Sequence, residues 1–173
     1  MKSQRLTYRE ITYADAARIT RLAGEWDVAR MTARIPYPYT LTQAHQWIGT
    51  IGNDEFVRAI ELNGELIGAV GYVRGDNGSA EIGYWLGKPW WGQGYASEAA
   101  EALVAYCFAK EGFERLTCCH FLDNVASQRI IKKLGFRLVG PCVAWCEARC
   151  SEIPTLRYVR RRPMLMRFRR RAA

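Results

Sequence analysis

Residues 80–110, AEIGYWLGKPWWGQGYASEAAEALVAYCFAK, constrain the fold more than any other stretch. Ala80 to Leu86 is apolar and aromatic-rich, as a buried strand should be. A turn holding Gly92 and Gly94 follows, and a helix is expected from about Ala96. In that helix Ala99, Ala102, Leu103, Tyr106 and Cys107 recur at three- and four-residue spacing, which gives one apolar face. A glycine turn between a strand and a helix presents free backbone N–H groups at the positive end of a helix dipole. Such a turn receives an anion, phosphate above all.

The rest of the chain builds around this unit. Arg5 to Thr12 alternates as a first strand, and Tyr13-Ala14-Asp15 opens a helix capped by Thr12 or Asp15. Ala16, Ile19, Leu22 and Ala23 form its buried stripe. Two prolines, Pro36 and Pro38, keep residues 33–39 out of regular helix. Thr40 or Thr42 caps a second helix reaching about Ile51, with Ala44, Trp47, Ile48 and Ile51 on one side. Phe56 to Leu62 and Glu65 to Arg74 pair across Asn63-Gly64, a strong two-residue hairpin signal. Gly75 to Gly78 turns the chain into the central strand. Beyond the central helix, which Gly112 ends, Arg115 to Leu122 reads as a strand. Asn124 to Ser127 begins a short helix burying Ile130, Ile131 and Leu134, and Gly135 closes it. Phe136 to Val139 and Thr155 to Tyr158 read as the last strands, with no defined connection between them. The expected architecture is one α/β domain over residues 1–173, a mixed, mostly antiparallel sheet of six to seven strands with helices on both faces.

Composition limits the functions open to such a domain. No apolar run approaches the roughly 18 to 20 residues of a membrane span. The N-terminal residues lack the apolar core of a secretory signal, so a cytoplasmic protein with free thiols is expected. The six cysteines lack paired CxxC spacing, and His45 and His120 are the only histidines, so no metal site is expected. Cys118 and Cys119 should point to opposite faces of their strand. Cys142, Cys146 and Cys150 would align only in a helix. The net charge of +8 is concentrated at one end. From Arg157 onward there are eight arginines and no acidic residue, whereas the remaining 17 Lys/Arg balance 17 Asp/Glu. A neutral body is a poor general nucleic-acid binder. The basic tail, residues 160–173, reads as a solvated end or as an electrostatic contact with RNA, ribosome or an acidic partner.

The glycine turn lacks the third glycine and the later acidic residue of a dinucleotide fingerprint. It also lacks the Gly-Lys-Ser/Thr of a nucleotide P-loop. Other phosphate-bearing ligands remain. At this point Trp91-Gly92-Gln93-Gly94-Tyr95-Ala96 resembles the Q/R-x-x-G-x-G/A pyrophosphate loop of the GCN5-related N-acetyltransferases (GNAT), with Trp91 in place of Gln or Arg. Ile35-Pro36-Tyr37-Pro38-Tyr39-Thr40, Glu81-Ile82-Gly83-Tyr84-Trp85-Leu86, and Asn124-x-x-Ser127 running on to Leu134-Gly135-Phe136 resemble the RimJ/RimL branch, the ribosomal-protein N-terminal acetyltransferases and their relatives.

The resemblance implies acetyl-CoA as donor and no metal. Backbone N–H groups of Gly92, Gln93, Gly94, Tyr95 and Ala96 would hold the pyrophosphate, in a cofactor-binding loop that also includes Trp91. The pantetheine would lie between the strands at 80–86 and 115–122, paired with backbone groups of Trp85, Leu86 and Gly87 and with Asn124. Glu81 is the candidate base, subject to strand parity, which a bulge would shift by one. Ser127 is the candidate donor to the sulfur, because Phe136 stands where many relatives carry a tyrosine. His120 is a third titratable candidate. The implied acceptor pocket comes from residues 26–39 and the connection 142–151. It holds Trp26, Met31, Tyr37, Tyr39 and Trp145 with Asp27 and Glu147. Aromatic side chains with scattered carboxylates suit a cationic amine or a peptide N-terminus. The preferred acceptor is a protein or peptide α-amine. A small-molecule amine (amino acid, polyamine or drug) is the alternative, and a non-catalytic acyl-CoA-binding or RNA-contacting protein is the rival of another class. Monomer and homodimer are both open.

Overall fold

The computed structural model describes residues 1–52 and 54–163. The arginines beyond Arg162, and with them most of the basic tail, lie outside the described residues. Seven strands form one sheet in the order β1-β2-β3-β4-β5-β7-β6. The strands are β1 (Thr7–Arg9), β2 (Glu55–Leu62), β3 (Glu65–Arg74), β4 (Ser79–Leu86), β5 (Arg115–Phe121), β6 (Arg137–Cys146) and β7 (Ser151–Arg161). The helices are α1 (Ala16–Ala23), α2 (Trp26–Ala29), α3 (Leu41–Thr50), α4 (Tyr95–Tyr106) and α5 (Val125–Lys133). Helices α1 and α3 bury Ile19, Leu22, Ala44 and Ile48 against Ala59 and Leu66 on one face. Helices α4 and α5 bury Leu103, Val104 and Ile131 against Ile67, Val70, Ile82 and Leu116 on the other.

Local sequence chemistry explains most boundaries. Thr40 caps α3 by accepting from the Gln43 N–H, and Gln43 returns the bond to the Thr40 N–H at 2.9 Å. Asn63 and Gly64 both have positive φ, 53° and 79°, as a tight hairpin of this hand requires. Helix α4 continues through a wider π turn over Cys107–Glu111 before Gly112. The first strand is shorter than its alternation suggests, because only Thr7 to Arg9 pair with β2.

The C-terminal third departs most from expectation. Residues 137–139 and 155–158 are parts of two long strands, β6 and β7, joined by the turn at 147–150, and Phe136 precedes β6. Pro141 and Pro154 and the irregular register between Leu138 and Gly140 hide the strand pattern. Strand β6 is also an edge, with Leu138, Val139, Val143 and Trp145 exposed, so its sequence shows no clean alternation. The residues expected to form a loose connection, 142–151, are mostly strand. Cys142, Cys146 and Cys150 therefore lie along a strand and its turn, not on a helix face. Arg157, Arg160 and Arg161 are sheet residues, and Arg160 donates to the Leu134 carbonyl at 2.5 Å.

Candidate active site

The parallel neighbours β4 and β5 are in register only across Ser79–Glu81 and Arg115–Thr117. Beyond Glu81 the strands separate, while β4 keeps its pairing with β3 as far as Leu86. The sheet is thus split from one end, and the split opens into a cavity of about 1340 Å³. Glu81, Tyr84, Leu86, Cys119, His120, Asn124 and Ser127 line it, together with Trp91, Gly92, Gly94, Tyr95 and Ala96.

Alternation along β4 decides which groups face the split. The Gly87 N–H donates to the Ile67 carbonyl at 2.9 Å, so it and, two residues back, the peptide groups of Trp85 point to β3, while the Gly87 carbonyl accepts the Trp90 N–H. Those of Tyr84 and Leu86 point the other way, into the opening. Of the three residues expected to present backbone groups there, Leu86 does so and Trp85 and Gly87 do not; Tyr84 joins it. The Leu86 carbonyl already accepts the Trp91 indole N–H at 2.8 Å. Trp91 thereby ties the end of β4 to the glycine turn, which explains how an aromatic residue serves at that position.

The turn is built for close backbone approach. Gly92 and Gly94 have φ of 75° and 84°, a region L side chains rarely adopt. The first N–H of α4 to find a local carbonyl is that of Glu98, bonded to Gly94 O at 3.0 Å. The N–H groups of Tyr95, Ala96 and Ser97 have no intrahelical acceptor. Gln93 is held at both ends: its side-chain amide donates to Pro89 O at 3.0 Å, and its carbonyl accepts from Arg5 Nη1 at 3.2 Å.

Titratable and hydroxyl groups sit on both sides of the split. No register shift interrupts β3–β4, so no bulge alters parity. Glu81 and Trp85 face the α1–α3 side, and Ile82, Tyr84 and Leu86 face α4 and α5. The Cys119 thiol donates to Glu81 Oε1 at 3.2 Å. Burial, with the Glu81 charge beside it, pushes that thiol up to about 12. On the opposite side the hydroxyls of Ser127 and Tyr84 lie 3.0 Å apart. Burial pushes the Tyr84 phenol up to about 12, with the Ser127 bond opposing. Asn124 caps α5: its Oδ1 accepts the Ser127 N–H at 3.0 Å, which leaves the amide NH₂ for other partners. His120 is buried with both ring nitrogens engaged, one on Phe121 O and the other on the Tyr158 hydroxyl.

The expected aromatic pocket is only partly assembled. Tyr39 lines the cavity and is half-buried, which pushes its phenol up to about 12. Trp26 and Tyr37 instead pack edge to face, centroids 5.1 Å apart, exposed and outside the cavity lining. The 142–151 segment does meet the 30–33 loop, through Arg149 to Arg30 O at 2.8 Å and the Glu147 N–H to Ala33 O at 3.0 Å. Sequence reasoning gave no role to Tyr84 or Arg5. Tyr84 was visible inside a quoted motif, but its partner lies 43 residues away. Arg5 reaches the turn across 88 residues, and nothing local to it signals that.

A mixed sheet split beside a glycine turn, with a helix N-terminus at the mouth, makes a fold fit to seat a phosphate-bearing ligand. The family profile described as acetyltransferase (GNAT) domain matches residues 5–137. The chain belongs to that family and is an acetyl-CoA-dependent N-acetyltransferase. It is 29% identical over 147 residues to an uncharacterized N-acetyltransferase p20 of Bacillus licheniformis, covering 80% of this chain and 82% of that one. It is 36% identical over 78 residues to the ribosomal-protein-serine acetyltransferase of Escherichia coli, covering 44% of each. Its fold matches that of Mycobacterium smegmatis RimJ, solved in complex with CoA-disulfide, with a TM-score of 0.80 at 20% identity over 90% of this chain and 81% of that one. No helix among the described residues is long and apolar enough to cross a membrane.

Proposed function

We propose that the chain acetylates the α-amine at the N-terminus of a protein or peptide, with acetyl-CoA seated in the β4–β5 split. The observation that carries this reading is the three-pair β4–β5 contact, which leaves the peptide groups of Tyr84 and the N–H of Leu86 open beside the turn at 92–96. Backbone donors from Gly92 to Ala96 take the pyrophosphate, and Gln93 and Trp91 hold that turn in shape. Tyr84 and Leu86 pair with the pantetheine amides as a missing strand would, and the Asn124 NH₂ donates from across the opening. The Leu86 N–H is the nearest candidate to polarise the thioester carbonyl.

Acetyl-CoA supplies an activated acyl carbon, on which the amine forms a C–N bond as the C–S bond breaks, releasing one proton from nitrogen and requiring one at sulfur. Glu81 faces the α1–α3 side, where an amine enters past Tyr39, and accepts the first proton, directly or through water. Ser127, backed by the Tyr84 hydroxyl, stands on the opposite side and donates the second. The Cys119 thiol stays protonated at neutral pH, so it serves Glu81 as a donor and is a poor nucleophile. That favours direct transfer over an acyl-cysteine route.

The acceptor class rests on the similarity to the E. coli ribosomal-protein-serine acetyltransferase. Glu81 on the cavity lining offers charge to an ammonium, whereas Asp27 is already paired with Lys88 and Arg30, and Glu55 with Arg34. The test is thiol release from acetyl-CoA across N-terminal peptides and small amines. Turnover with peptides above that with amino acids, polyamines and aminoglycosides is expected. The reverse order moves the assignment to a small-molecule amine, and CoA binding without thiol release for any acceptor removes the catalytic reading.

A further inference from the structure

Arg5 is a surface residue ahead of β1 that makes an unusual number of contacts for its position. Its main-chain N–H donates to Glu98 Oε1 at 2.6 Å, and its Nε to Glu98 Oε2 at 2.7 Å. Nη1 donates to the Gln93 carbonyl, and the guanidinium lies 4.4 Å from the Tyr95 ring centroid. Nη2 lies 3.4 Å from the point where a Cβ on Gly94 would sit. The segment is anchored on both sides of Arg5, by buried Leu6 and by Ser3, which donates to Leu6 O and accepts from the Tyr8 hydroxyl.

We propose that Arg5 is a positioning residue for the donor site: its fork aims the Gly94 N–H at the pyrophosphate and cancels the Glu98 charge beside it. This rests on the reading that the turn at 92–96 receives the pyrophosphate of CoA. In a trans peptide the C=O and the following N–H point in opposite directions, and the Gln93–Gly94 bond is trans. Holding the Gln93 carbonyl towards Arg5 therefore turns the Gly94 N–H away from Arg5, to the opposite side of that peptide. Glu98 lies within the first turn of α4, close to where a diphosphate would sit. Unpaired, its carboxylate would repel that ligand. Arg5 binds both carboxylate oxygens, one through its main-chain N–H and one through Nε; against the opposing effect of burial this lowers the carboxyl, and the guanidinium makes the local charge zero. One guanidinium thus does two things at once, which an ammonium could not.

The experiment is calorimetric titration of the full chain with CoA, and with pantetheine followed by NMR shifts at millimolar concentration. Arg5→Ala is expected to weaken CoA about tenfold, the equivalent of one or two lost hydrogen bonds. Pantetheine, which has no pyrophosphate, should bind the variant as it binds the wild type. Arg5→Lys keeps the charge and most of the stem, and should not restore affinity; it also serves if Arg5→Ala melts too low to titrate. Glu98→Ala discriminates most sharply. Removing a negative charge near a diphosphate should tighten CoA by charge alone, but here it should weaken CoA because Arg5 loses its anchor. Wild-type affinity in Arg5→Ala, equal losses for CoA and pantetheine, or tighter CoA binding by Glu98→Ala would each overturn the assignment. A wild-type chain that does not bind CoA at all would instead sink the donor-site reading itself.

Discussion

Gly68 offers a test of the split with a size set by geometry. It sits in β3 opposite Leu86. A Cβ there would lie 2.2 Å from the Trp85 carbonyl oxygen, 2.7 Å from Leu86 Cδ2 and 2.9 Å from Leu86 Cα. An ordinary C···O contact is about 3.3 Å, so Gly68→Ala must push the end of β4 away by about 1 Å. Two of these three neighbours, including the nearest, are backbone and cannot swing aside, so overpacking should cost about 1–3 kcal/mol of stability. The same shift displaces the Leu86 peptide. Losing one or two hydrogen bonds of about 1 kcal/mol each should weaken CoA about five- to thirtyfold. Urea denaturation measures the first quantity and calorimetric titration the second. Gly83→Ala is the internal control, because its Cβ would meet nothing within 4 Å and its φ is not positive. It should leave both quantities near wild type. If the two alanine variants behave alike, the close β3–β4 approach does not hold the Leu86 edge in place.

Three further outcomes follow from the site and its supports. Glu81→Gln should lower turnover at neutral pH at least tenfold while CoA affinity stays within about twofold, since base catalysis contributes on the order of 10² or more; unchanged turnover would take Glu81 out of the mechanism. Tyr84→Phe and Ser127→Ala, measured singly and together by denaturation, should show a coupling of about 0.5–1.5 kcal/mol, and strict additivity would mean their 3.0 Å contact contributes nothing. Bonding to Arg9 lowers the Asp15 carboxyl, with burial opposing and Thr12 assisting. A depressed folded-state value gives stability that is present above the ordinary aspartate range and lost as pH falls through the folded value. Below about pH 4 the wild type should therefore lose stability more steeply than Asp15→Asn, and parallel profiles would contradict the pairing.

Where the chain's own neighbours decide a conformation, the sequence was enough. The Thr40 cap, the Asn63-Gly64 hairpin and the glycine stops at 112 and 135 lie where their side-chain chemistry puts them. The glycine turn was legible for the same reason, since only residues 92 and 94 need positive φ. Long-range pairing was not legible. Nothing near Tyr84 announces Ser127, and nothing near Arg5 announces Gln93 or Glu98. Of the backbone groups expected at the split only those of Leu86 face it, because alternation depends on which side of β4 the β3 hairpin bonds. The length of β6 and β7 was hidden by prolines and by an edge strand that has no single buried face.

The brevity of the β4–β5 contact has a mechanical consequence. Strands β1 to β4 form one antiparallel stretch and β5 to β7 another, stitched by long ladders everywhere but at the short edge strand β1, and three parallel pairs join them. Between the two halves the sheet has a fault line, spanned otherwise by α4 and α5 beneath it. A donor lying along Tyr84 and Leu86 would act as a splint across that fault. Its stabilising effect should appear as slowed amide exchange on both of its banks before any change in the outer strands. In such a molecule binding the donor and completing the sheet are one event, and the weakest seam of the fold is also its most responsive.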